Sequence, residues 1–106
     1  HLNRGAWLAA AASLRAALAD FQRMEHHLGA LYALYNLGET QRWAGETAAA
    51  RDSLTEAEHL LAAVEAPAVA AHLLALRAEL LLAEGQLEEA ARLATKGVRV
   101  AEEAGH

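Results

Sequence analysis

Tyr32, Tyr35, Glu39, Arg42 and Trp43 follow one another at spacings of three, four, three and one residue. On a helix these five side chains fall within about 100° of one another. The stripe combines aromatic faces, a phenol hydroxyl, a carboxylate and a guanidinium. Tyrosine, tryptophan and arginine are the residue types enriched where one protein grips another. Forty residues further on, the same positions read His72, Ala75, Glu79, Leu82 and Ala83. Together the two stripes predict an aromatic, mildly polar wall, with Tyr32, Tyr35, Glu39, Arg42, Trp43, His72 and Glu79 as the candidate partner-binding residues. The competing reading is that Tyr32, Tyr35 and Trp43 only pack against a neighbouring helix. Trp7 is expected to pack in that way against an adjacent unit.

Bond-making chemistry finds little support. The chain has no phosphate-binding loop, no G-x-S-x-G elbow and no dinucleotide fingerprint. No enzymatic activity and no cofactor is expected. Six histidines invite a metal reading, but His26 and His27 are adjacent and point about 100° apart on a helix. His59 and His72 belong to different predicted helices, and no HExxH occurs. The expectation is no metal site, with His26 and His27 solvated in a connection. Glu56, Glu58, Glu88, Glu89, Glu102 and Glu103 read as a solvated outer face.

Charge and composition narrow the partners. The net charge is −5 and the basic residues are scattered, so no stripe exists to displace counterions from nucleic-acid phosphates. An anionic membrane surface is disfavoured by the same charge. The longest apolar stretches, near Ala68–Leu76 and Leu80–Ala83, are broken by His72, Arg77 and Glu79 and fall short of the ~20 apolar residues of a span. The sequence has no cysteine, which excludes disulfides and thiolate metal sites and fits a reducing, cytoplasmic setting. The expected partner is a protein or peptide, with neither nucleic acid nor membrane.

These stripes need helices to carry them, and the chain repeats the helices. Gly5, Gly45 and Gly85 are 40 residues apart, as are Ala10, Ala50 and Ala90. Leu14, Leu54 and Ala94 follow the same period, and so do Ala17, Ala57 and Gly97. Each unit reads as two helices around a turn glycine. Leu31, Leu34, Leu37, Gly38 and Gln41 mark the packing face of a helix near 29–43. Ala50, Leu54, Ala57, Leu61 and Val64 mark one near 47–65. Pro67 suits the first turn of a third helix, to about Ala83, with Leu74, Ala78 and Leu81 inward. A fourth runs near 87–104, supported by Glu88 and Arg92 at i,i+4. Ala10, Leu14, Ala17, Leu18 and Phe21 mark a helix near 6–25.

The pattern resembles the tetratricopeptide repeat: Leu34, Leu37-Gly38, Gly45, Ala50, Leu54 and Ala57, then more loosely Leu74, Arg77-Ala78, Gly85, Ala90, Ala94 and Gly97. The 40-residue unit is similar to the longer-helix variant of bacterial signalling and regulatory proteins. The resemblance implies an all-α fold of antiparallel hairpins stacked as a right-handed superhelix, an α-solenoid of about two and a half repeats. It divides a single domain, 1–106, into a truncated repeat's second helix (1–27) and two full repeats (28–66 and 67–106). It also implies a concave groove lined by first helices, where the stripe lies, and hence a scaffold for protein–protein interaction. The alternative is a ligand- or peptide-sensing arm of a bacterial regulatory protein. On this phase residue 1 falls near the end of a missing first helix. The terminal faces are then expected to be open, so that the residues belong to a longer chain or self-associate.

Overall fold

The computed structural model describes residues 3–105. His1, Leu2 and His106 lie outside the described residues, and with them the expected placement of residue 1. Five helices follow in order: α1 (Arg4–Arg23), α2 (His27–Trp43), α3 (Thr47–Leu61), α4 (Pro67–Ala83) and α5 (Leu87–Ala104). The described residues contain no strand, as the all-α reading expects.

Helix boundaries follow local chemistry. Asn3 starts α1 two residues earlier than expected, its side-chain oxygen accepting the Ala6 N–H at 2.8 Å. Gly5 therefore lies inside the first turn of α1 and not at a turn between helices, which corrects the repeat-phase assignment at that position. Gly45 and Gly85 do close helices, at φ 82° and 81°, a region open to glycine at little cost. Behind each, a backbone N–H reaches back five residues, Glu46 to the Gln41 carbonyl (2.8 Å) and Gln86 to that of Leu81 (2.9 Å). The α1–α2 turn has the same bond, His26 to the Phe21 carbonyl at 2.9 Å, but Glu25 occupies the left-handed position at φ 53°. α3 stops at Leu61, short of the expected 65. Ala66, held ahead of Pro67, adopts φ −143° and ψ 72°, outside the helical region.

α2 lies at the centre, packed on α1, α3 and α4, and α4 in turn packs on α2, α3 and α5. Leu31, Leu34, Leu54, Leu73, Leu76 and Leu80 are fully buried, each contributing about 1.5–3 kcal/mol by leaving water. The expected inward stripe of α4 is corrected in part. Ala78 is buried as expected, but Leu74 and Leu81 are only half-buried, while Val69, Leu73, Leu76 and Leu80 carry the core. α4 has neighbours on two sides, so one stripe does not describe it. Leu76 meets α2 at Gly38, where an added Cβ would lie 3.1 Å from the leucine methyl, and Leu74 meets α5 at Gly97.

Polar contacts set the register between helices. Ser53 donates to Gln41 Oε1 at 2.6 Å within the α2–α3 interface, where both residues are buried. Arg77 binds Glu58 at 2.5 Å and Thr55 at 3.3 Å, and Arg51 pairs with Glu84, so α4 is tied to α3 at two levels. Glu58 is therefore an interhelical anchor and not merely part of a solvated face. Arg92 pairs with Glu89, three residues away, instead of the expected Glu88, because i,i+3 neighbours on a helix also meet.

Candidate partner-binding surface

Burial of α2 on three sides leaves one strip of it in contact with water. Tyr32 and Trp43 are exposed there, and Tyr35, Glu39 and Arg42 are half-buried at its edge toward α4. The antiparallel packing of α1 brings Trp7 to the end of this strip. Arg4 fixes that approach, its Nε donating to the Ala44 carbonyl at 3.0 Å and its guanidinium reaching Glu46 at 3.3 Å.

The predicted residues meet across the helices. The Tyr35 ring stacks on His72 of α4, with centroids 5.3 Å apart. Arg42 binds Glu79 of α4 at 2.8 Å, while its Nε lies 3.7 Å from Glu39 Oε1. That separation is an ion pair without a hydrogen bond, and Nε is buried with no partner. The guanidinium also sits 4.5 Å from the centre of the Trp43 ring, a cation–π distance. Trp43 stacks on Trp7 at 6.2 Å. Tyr32 shares the strip, 44% exposed, and among the described residues no aromatic pair includes it. Neither Tyr35 nor Trp43 is fully enclosed; Trp43 is 53% exposed.

Two carboxylates share one guanidinium here, so the patch carries surplus negative charge. Burial pushes the Glu39 carboxyl above its ordinary value, and the Glu79 charge adds to the effect. Arg42 and, more weakly, His72 oppose it. Burial likewise raises the Tyr35 phenol, with Glu39 and Glu79 adding and Arg42 opposing. Tyr35 therefore stays protonated at neutral pH and keeps its O–H as a donor. The surface offers ring faces, a phenol donor and a mildly acidic centre. Among the described residues no three His, Asp or Glu side chains converge as metal ligands. No described helix is long and apolar enough to cross a membrane.

Trp7 packs against the adjacent unit as expected, its ring stacked on Trp43 of α2, and by doing so it also extends the wall, a role that the sequence reading does not assign to it. Its signal was its distance from the α1–α2 turn: Trp7 and Trp43 each lie 18 residues from Glu25, so an antiparallel pair must juxtapose them. His26 is exposed in the α1–α2 connection, as expected, and it also caps α2, its Nδ1 accepting the Gly29 N–H at 2.8 Å while its ring lies 5.3 Å from Phe21; His27, expected beside it in the connection, instead opens α2.

In comparison with known proteins, the chain matches no family profile and no curated protein sequence.

Proposed function

We propose that this chain is a protein-interaction module, built from tetratricopeptide-like hairpins, that binds a peptide or protein segment along the wall running from Trp7 through α2 to α4. The observation that carries the reading is the continuity of that wall. Trp7, Trp43, Arg42, Glu79 and Glu39 are linked by stacking or ionic contacts across three helices, and the Tyr35–His72 stack continues the wall one turn further along α2 and α4, yet these residues remain open to water in part. Support for the hairpin reading comes from the glycine turns of α2–α3 and α4–α5 and from the seating of α4 on the first hairpin. A stacked, superhelical arrangement and a cytoplasmic setting belong to the same reading. The surplus carboxylate and the exposed indole favour a segment presenting a cationic side chain among apolar ones.

The test is selection of peptides from a random library on the immobilised chain. Enriched peptides should compete with one another for one site and carry Lys or Arg beside apolar residues. They should lose most of their affinity for the Tyr35→Ala/Trp43→Ala double variant while its helical circular dichroism is kept. Peptides that bind the folded double variant equally well would remove the wall from the argument. A sensing arm would instead be favoured by an enclosed apolar pocket, whereas the apolar hollow on this molecule, between α4 and α5, opens to solvent.

A further inference from the structure

The second hairpin carries an apolar trough of about 800 Å³ along the groove between α4 and α5. Leu82, Leu87 and Val98 stand on its walls and are 57–62% exposed. Exposed large side chains grouped in this way mark interaction surfaces.

The chain supplies its own filled version of this groove. Forty residues earlier, the groove of the α2–α3 hairpin holds α4. Leu76 sits against Gly38, His72 stacks on Tyr35, and three ion pairs clamp the helix: Arg42 to Glu79, Arg51 to Glu84 and Glu58 to Arg77. The trough keeps the small residues that permit close approach, with Ala78 for Gly38 and Ala90 for Ala50. It differs in two systematic ways. Bulk is removed, since Leu31, Tyr35, Leu54 and Leu61 are replaced by Ala71, Ala75, Ala94 and Ala101. Charge is also removed, since the three clamp residues Arg42, Arg51 and Glu58 become Leu82, Ala91 and Val98.

From these differences we infer that the α4–α5 trough is a second docking site, which receives an amphipathic α-helix from a partner protein. That helix presents large apolar side chains at the spacing of Val69, Leu73, Leu76 and Leu80, with bulkier residues than α4 has and no charged clamp. A second copy of the chain fits poorly. The stripe of α4 at this spacing is buried in its own core, and two troughs face to face would meet alanine on alanine. The site adjoins the aromatic wall and shares His72 and Glu79 with it, while its floor and its other wall belong to α5.

The experiment uses two fluorescently labelled synthetic peptides: residues 66–85 of this chain, and the same peptide with Leu73→Phe and Leu76→Phe. Titrated with the folded chain and followed by anisotropy, both should bind saturably, the Phe peptide at least about tenfold more tightly. Ala94→Glu puts a carboxylate at an exposed position on the trough floor and should weaken both by at least about tenfold with helicity unchanged. Tyr35→Ala/Trp43→Ala should leave both affinities unchanged, which separates this site from the wall. Failure of both peptides to bind, or binding indifferent to Ala94→Glu, would overturn the inference. Concentration-dependent dimerisation of the chain that Ala94→Glu abolishes would overturn it too, by making a second copy the occupant.

Discussion

The indole of Trp43 lies within 19° of parallel to that of Trp7, and the guanidinium of its chain neighbour Arg42 rests over its ring. The chain has only these two tryptophans, so their coupling is directly observable. Stacked indoles give an exciton couplet in circular dichroism. Trp7→Phe and Trp43→Phe should each abolish it while the helical bands persist. A couplet that survives either change would show that the two rings are not paired in solution.

A backbone prediction follows from the three turns that share one hydrogen-bond pattern. Glu25 holds a left-handed conformation that glycine holds at Gly45 and Gly85, and an L-residue pays roughly 1–2 kcal/mol for it. Glu25→Gly should therefore stabilise the chain by about 1 kcal/mol, offset in part by the greater freedom of glycine when unfolded. Gly45→Val should cost more than about 1 kcal/mol, although an added Cβ there meets no atom within 4 Å. Urea denaturation checks both signs.

Packing gives a third expectation. Leu76 is 1% exposed and sits in the close approach of α4 to α2. Leu76→Ala should destabilise by about 2–5 kcal/mol. Leu82→Ala, on the exposed trough wall, should stay within about 0.5 kcal/mol of the parent. Equal losses at the two positions would contradict the orientation of α4.

The carboxyl of Glu39 gives a pH dependence. Its folded value is raised, chiefly by burial and then by Glu79, so the folded state holds its proton more tightly than the unfolded chain does. Below the unfolded value of 4.5 Glu39 is protonated in both states and contributes nothing. As pH rises from there through the folded value, stability falls, and the penalty is complete above it. Glu39→Gln should flatten this decline. A decline of unchanged slope in the variant would assign it to other groups.

Much of the fold was legible because it is local. The 40-residue recurrence of Gly45 and Gly85, the stripe Leu31–Leu34–Leu37–Gly38–Gln41 and Pro67 at a helix start all depend on neighbours in sequence, and the structure keeps them. The rotation of α4 was not legible, because a helix with two neighbours has no single apolar face for periodicity to find. Nor was Glu25 as a turn residue, since a left-handed glutamate has no compositional mark. For the candidate surface, helical spacing placed the α2 stripe. The 40-residue recurrence brought in His72 and Glu79, whereas the part of Trp7 in the wall and the apolar trough depend on how neighbouring helices pack.

Helix α5 packs on α4 alone among the described residues, and only Ala90 and Gly97 of its length are buried. An element held by a single neighbour opens more readily than one enclosed on three sides, as α2 is. Its amides should exchange with solvent through a local transition well below global unfolding, while those of α2 wait for the whole molecule. A helix seated in the trough would enclose the other side of α5 and bring it into the cooperative unit. Occupancy would then be written in exchange rates along residues 87–104, so a helix at the edge of the fold becomes the one that reports whether the partner is present.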